Sequence, residues 1–136
     1  MAPGAPDPLL RHVDSVEVRV PNLDAGLAFY RDLLGQQLVW RTETSAGLTM
    51  PGTDTELVIQ TDRPAESAFL VESADEAAAR FAEAGGRVVT SPHDIRIGRC
   101  AVVQDPWGNR LVLLDMSKGR LVTDGEGNIL GNEPAS

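Results

Sequence analysis

The chain has 136 residues, with 20 acidic side chains against 12 basic ones and a formal net charge of −8. That length suits one domain that buries a core without covalent staples. The acidic balance and the scattered Lys and Arg exclude a phosphate-binding nucleic-acid surface and disfavour an anionic membrane. Cys100 is the sole cysteine, so no intrachain disulfide and no cysteine-built zinc site can form.

The opening MAPGAPDPLL lacks a basic start and a long apolar run, and no segment approaches the roughly twenty apolar residues of a membrane span. The expectation is a cytoplasmic protein whose residues 1–11 form a loose, Pro-rich N-terminus.

The stretch Asp14 to Gly35 organises the rest of the chain. Val16, Val18 and Val20 alternate with Ser15, Glu17 and Arg19, the period of a half-buried strand. After Pro21 the period lengthens: Asn22 suits a helix N-cap, and Leu23, Leu27, Tyr30 and Leu34 recur at helical spacing until Gly35 ends the run. Strand-like runs come next at Gln37 to Thr44, Gly47 to Met50 and Thr55 to Thr61, completing a βαβββ unit.

The pattern then restarts. Ala68 to Glu72 is a short apolar run. Ser73 and Glu76 have capping-box spacing, and Ala77, Ala78, Phe81 and Ala84 mark a helical stripe that Gly85-Gly86 stops. Arg87 to Thr90, Ile95 to Gln104 and Asn109 to Met116 are further strand-like runs, the last two joined by a turn at Asp105-Pro106-Trp107-Gly108. Gly35 and Gly85 lie fifty positions apart, which makes the organisation a tandem duplication. Module one spans about 12–62 and module two about 66–116, within one domain at 12–116. Residues 117–136 read as a tail or a small hairpin around Asp124-Gly125-Glu126-Gly127-Asn128.

The strand-helix signature VEVRVPNLDAGLAFYRDLLG, the second helix with its AGG ending and the closing QDPWGNRLVLLD together resemble the vicinal oxygen chelate superfamily of glyoxalases, bleomycin-resistance proteins and extradiol dioxygenases. The resemblance runs from about Val13 to Met116. It implies an α+β fold in which two βαβββ modules form a curled, mostly antiparallel, cup-shaped sheet with helices outside, usually in a homodimer. It also implies metal-ligand positions, which fall here on Ser15, Gln60, Glu66 and Val112. Val112 cannot bind a metal, Ser15 and neutral Gln60 are weak ligands, and a divalent ion needs at least three good ones. The expectation is therefore no metal and no other cofactor.

The remaining candidates are set by position. Glu17 shares a strand face with Ser15 and Arg19, and in the family's geometry would point into the cup. Left dry it would have a raised pKa, as a general base needs; paired with Arg19 it would stay ionised. Arg19 suits an anionic ligand group. Trp40 could stack on a flat ligand, whereas Trp107 reads as packing over a strand end. His12 lies near a strand start and His93 follows Pro92 in a loop; both read as exposed or locally bonded. Cys100 has no histidine beside it in sequence and reads as an inert buried thiol, and Asp124 and Glu126 read as solvated turn residues. The function expected is binding of a small organic molecule in a cup lined by Ser15, Glu17, Arg19, Trp40, Gln60 and Val112. The alternative is a lyase, isomerase or dioxygenase of the same family, with an atypical metal set or with Glu17 as a metal-free base.

Overall fold

A computed structural model describes residues 7–134; the expectations that touch residues 1–6 and 135–136 lie outside the described part. β1 (His12–Arg19) leads into α1 (Leu23–Leu27), then β2 (Leu38–Arg41), β3 (Ser45–Thr49) and β4 (Glu56–Gln60). The order repeats as β5 (Glu66–Leu70), α2 (Ala74–Glu83), β6 (Arg87–Ile95), β7 (Gly98–Gln104) and β8 (Arg110–Leu114). The strands form one eight-stranded sheet in the order β2-β3-β4-β1-β5-β8-β7-β6. Each module contains one parallel pair, β1 with β4 and β5 with β8, and the seam between modules is the antiparallel pair β1 with β5.

Both helices cover the same face of this sheet. Asn22 caps α1 by accepting from the Ala25 amide at 2.7 Å. Leu23 and Leu27 then pack with Val20, Ala46, Leu48 and Ile59. In the second module Ala77 and Ala78 let α2 approach Ala101, Val103 and Leu113 closely. Val16, expected on the greasy side with Val18 and Val20, stays exposed on the central strand β1 beside the seam.

The first helix does not finish as the periodicity predicts. After Leu27 it widens into a π-helical segment, Ala28–Leu33, with the Leu34 amide bonded to the Phe29 carbonyl. The extra residue per turn rotates the later side chains off the core stripe. Leu34, expected in that stripe, is 53% exposed, and Phe29 and Leu33 are exposed with it.

Strand boundaries differ in one place that matters. The run that begins at Arg87 does not end before Pro92: β6 continues through it to Ile95, because β6 is a sheet edge where a missing ladder N–H is tolerated. His93 therefore lies in a strand and not in a loop. The N-terminal segment is also less loose than expected where it is described, since Leu9 packs on the second core and the Asp7 carbonyl accepts from Arg80 at 3.1 Å.

Beyond Leu114 the chain forms a hairpin of β9 (Arg120–Thr123) and β10 (Ile129–Glu133). Its base is tied to the β6–β7 turn, where Asn132 Nδ2 donates to the Arg96 carbonyl at 2.7 Å and the Lys118 amide to the Ile97 carbonyl at 2.9 Å. Its tip reaches the opposite edge of the sheet, where the Arg41 amide donates to the Gly127 carbonyl at 2.9 Å. Lying flat, eight strands at ~4.8 Å spacing would put the two edges about 34 Å apart, whereas the chain from Gly119 to Gly127 could reach at most about 26 Å even if fully extended. The sheet is curled into a cup, and the helices are outside it.

Two turns share one design. In Asp105-Pro106-Trp107-Gly108-Asn109 and Asp124-Gly125-Glu126-Gly127-Asn128 the leading Asp accepts from the backbone amides two and four residues on, and also from the Asn side chain. The fourth residue takes φ of 95° in one and 86° in the other, which is why both are glycine. Trp107, expected to pack over a strand end, is 83% exposed at the tip of the first.

Asp115, just past β8, is a structural hub that periodicity does not signal. Its carboxylate accepts from the amides of Ala74, Arg99 and Ser117 and from the Ser117 hydroxyl, at 2.7–3.2 Å. Burial alone would raise its pKa, but these donors outweigh burial and hold it below the usual value. Because the folded pKa is depressed, its stabilisation is present above the ordinary carboxylate range and is lost as pH falls through the folded value. Asp115→Ala is expected to cost about 2–3 kcal/mol, since three amides lose their acceptor. Urea unfolding at neutral pH measures this, and the gap to wild type should narrow in acid.

Candidate functional site

The face opposite the helices is the inside of the cup, and strand register decides who lines it. Across the first module Ser15 stands beside Glu56, Glu17 beside Val58, and Trp40 beside Gly47. Across the seam Ser15 faces Ala68 and Glu17 faces Glu66. In the second module Ala68 lies beside Val112, Val112 beside Val102, and Leu114 beside Cys100.

The two halves of this face differ in chemistry. The first half is acidic, with Glu17, Glu56 and Glu66 joined by Asp14, which sits at a bulge in β1 and whose charge raises both Glu17 and Glu56. Burial is the largest cause of the raised pKa of Asp14, Glu17 and Glu56; Arg63 opposes it at Glu17, and Trp40 opposes it at Glu56. The second half is apolar: Ala68, Cys100, Val112 and Leu114 form a cluster with Leu70, Ile95, Val102 and Met116 around it.

Trp40 is held at the acidic end. Its indole N–H donates to Glu56 Oε1 at 2.8 Å, and its ring lies directly over Gly47, where an added Cβ would come within 2.0 Å of Nε1. Glycine here makes room for the ring.

Glu17 is paired, but not with the partner expected. Its side chain is 11% exposed and accepts from Arg63 Nη2 at 2.9 Å, while Arg19 at the strand end is exposed. Arg63 belongs to the connector between modules, which in the sequence reads only as a break. The expected cup residue Gln60 is fully buried, and its amide is spent on that same connector. Oε1 accepts from the amides of Asp62 and Arg63, and Nε2 donates to the carbonyls of Arg63 and Pro64. Gln60 thus positions Arg63 against Glu17.

Of the four implied metal positions only Glu66 carries a good donor, so the set does not fit a metal. Ser15 offers a neutral hydroxyl, the Gln60 amide is fully engaged, and Val112 has no donor. Among the described residues no group of three or more His, Cys, Asp and Glu side chains is placed to hold an ion.

His93 departs furthest from its expected place. Its register partner across β6 and β7 is Cys100, and Nε2 lies 3.3 Å from Sγ. Cys100 is therefore not a thiol without a histidine. His12, at the start of β1, is exposed, and its charge is felt by Asp14.

A concavity of about 730 Å³ lies outside the cup. It is bounded by Gly35, Gln36, Arg41 and the hairpin tip at Gly125 to Asn128, and it is open and polar. None of the cup residues lines it.

The pattern of the Glyoxalase/Bleomycin resistance protein/Dioxygenase superfamily matches residues 12–113. The chain belongs to this superfamily. Solved superfamily structures repeat its fold. Methylmalonyl-CoA epimerase from Mycobacterium tuberculosis superposes with a TM-score of 0.69 at 21% identity, covering 80% of this chain and 90% of that one. Streptomyces coelicolor methylmalonyl-CoA epimerase, in complex with 2-nitronate-propionyl-CoA, gives 0.66 at 22%, covering 79% and 99%. Homoprotocatechuate 2,3-dioxygenase from Brevibacterium fuscum gives 0.65 at 25%, covering 84% of this chain but 39% of the dioxygenase. No curated protein matches the sequence. Among the described residues no helix is long and apolar enough to cross a membrane.

Within this superfamily fold the cup carboxylates impose a pH signature. A raised folded pKa means that the folded state binds protons more tightly than the unfolded chain. Stability therefore falls as pH rises from the ordinary carboxylate range through the raised values, and the loss is complete above them. Glu17→Gln removes that penalty at the cost of an ion pair to a half-exposed arginine, which contributes little. The variant is expected to melt higher than wild type at pH 7 to 8, with the difference vanishing below the ordinary carboxylate range. Thermal melts of both proteins across pH check this; a variant that melts lower at pH 7.5 would refute it.

Proposed function

We propose that this superfamily member binds a small, positively charged organic molecule in its cup, without a metal centre. The observation that carries this reading is the pairing of the desolvated carboxylates Asp14, Glu17 and Glu56, with Glu66 opposite Glu17 across the seam, and the Trp40 ring at one end of the cup. A cation placed there relieves the burial cost that keeps Asp14, Glu17 and Glu56 above their usual pKa and gains the ring's negative face. The apolar wall of Ala68, Val112 and Leu114 accepts the rest of the molecule. Three positions implied for metal ligation carry a hydroxyl, an engaged amide and an isopropyl group, which supports binding over metal catalysis. The proposal includes a cytoplasmic homodimer, in keeping with the exposed Phe29, Leu33 and Leu34 on the first helix.

A thermal-shift screen of organic amines beside their neutral isosteres tests the reading. An amine present at a hundred times its Kd contributes about 2.7 kcal/mol, a rise on the order of 10 °C for a chain of this size. Glu56→Gln keeps an acceptor for the Trp40 N–H and removes the charge, and is expected to weaken the amine about tenfold. Equal shifts from neutral isosteres, or none from any compound, would defeat the proposal.

A second reading makes Glu17 a metal-free general base, favoured by its raised pKa and its place beside the seam. Under that reading Glu17→Gln abolishes turnover of a bound substrate while its affinity is unchanged. Under the first reading the same substitution weakens binding.

A further inference from the structure

We propose that Cys100 and His93 form a base-assisted nucleophile that captures α,β-unsaturated carbonyl compounds covalently on the apolar wall of the cup. Nothing in the proposed binding of a cation uses this pair. The inference rests on that reading only in taking the cup as the place where a small molecule enters.

Three geometric facts support it. Sγ of Cys100 and Nε2 of His93 are 3.3 Å apart. The other ring nitrogen, Nδ1, lies 3.0 Å from the Ser91 carbonyl. A carbonyl oxygen can only accept, so Nδ1 carries a proton, and the neutral form of the ring then presents its lone pair at Nε2 to the thiol. A nucleophile, a base and a group orienting the base stand in sequence, the arrangement that activates a weak nucleophile. The pair links surface to wall: His93 is exposed, and Cys100, buried with 9% of its surface left, lies beside Ala68, Val112 and Leu114 on the cup face.

The electrostatics assign the roles. Burial pushes the Cys100 thiol up, and Asp115, Glu17 and Glu66 add to that, while Arg63 opposes it. The resting group is therefore a thiol, and His93 must take its proton during the reaction. A thiol of raised pKa holds little thiolate at neutral pH, so its reactivity depends on a base that takes the proton as the bond forms, the role that the geometry gives His93. The charge of Arg63 reaches Cys100 and favours negative charge that develops nearby.

The step balances without a further reactant. Sγ bonds to the β-carbon, and the C=C electron pair moves onto the carbonyl oxygen as an enolate. The thiol proton passes to Nε2 and from there to the α-carbon. No atom is lost and nothing is oxidised.

N-Ethylmaleimide, itself an unsaturated carbonyl compound, is the probe, with intact mass measured over time at neutral pH. The folded wild-type chain is expected to take one adduct at Cys100 faster than the same chain unfolded in urea. His93→Ala is expected to slow it by about 10², and exposed His93 is replaced without opening the core. His12→Ala should react as wild type. A folded rate at or below the unfolded rate, or an unchanged rate in His93→Ala, would overturn the inference. Failure of the amine screen alone would leave this result standing, and the reverse also holds, so the two readings fail separately.

Discussion

The antiparallel pairing of β1 with β5 is the constraint on which the molecule depends. It joins two similar modules edge to edge, so that both helices land on one face and both inner faces on the other. Its register sets Ser15 against Ala68 and Glu17 against Glu66. Because side chains alternate with period two, a slip of one residue along this seam would send Glu17 into the helix-packed core and Val16 or Val18 into the cup. The chemistry of the cup is thus a consequence of one strand pairing. That pairing also places two like charges opposite each other, an arrangement that is unfavourable in a sheet.

The connector between the modules offsets this conflict. Gln60, buried at the end of β4, uses both ends of its amide to fold residues 62–64 into a fixed turn. That turn holds the Arg63 guanidinium against Glu17. Glu17 and its neighbour Glu56 remain partly desolvated all the same, and their pKa values stay raised. A protein selected for stability alone would neutralise them. Their retention in a concave, aromatic-lined place fits the pattern in which binding sites carry unfavourable electrostatics that a ligand relieves.

The fold was legible in the sequence because it rests on local signals: strand alternation in Asp14 to Val20, caps at Asn22 and Ser73, and positive-φ glycines at Gly35 and Gly85 that recur at the duplication period. The cup was legible in part. Ser15, Glu17, Trp40 and Val112 lie on its face, placed there by alternation and register. Arg63 was missed because the role of a connector residue depends on the path of its turn, which the proline after it marks but does not aim. Leu34 was misplaced because no local signal announces a π-helical turn. His93 was misplaced because Pro92 reads as a breaker unless the strand is known to be an edge. A signal for its contact with Cys100 was nonetheless present. A tight hairpin centred on Arg96-Ile97 pairs residues at equal distances from that centre, and His93 and Cys100 are such a pair.

The two edges of the sheet show why the cup can stay open without inviting strand addition. At β2 the Arg41 amide, which would otherwise be free to pair with another chain, is taken by the carbonyl of Gly127 at the hairpin tip. At β6 a proline and two register shifts interrupt the row of donors that a flat edge would present. One edge is capped by the chain's own C-terminal hairpin, the other is made irregular by sequence, and the hairpin's base is bonded to the turn that closes β6. The same irregularity turns His93 toward Cys100. The feature that blunts the edge therefore also brings a histidine to the chain's one cysteine. Edge protection and the reactivity assigned to Cys100 are two results of one bent strand.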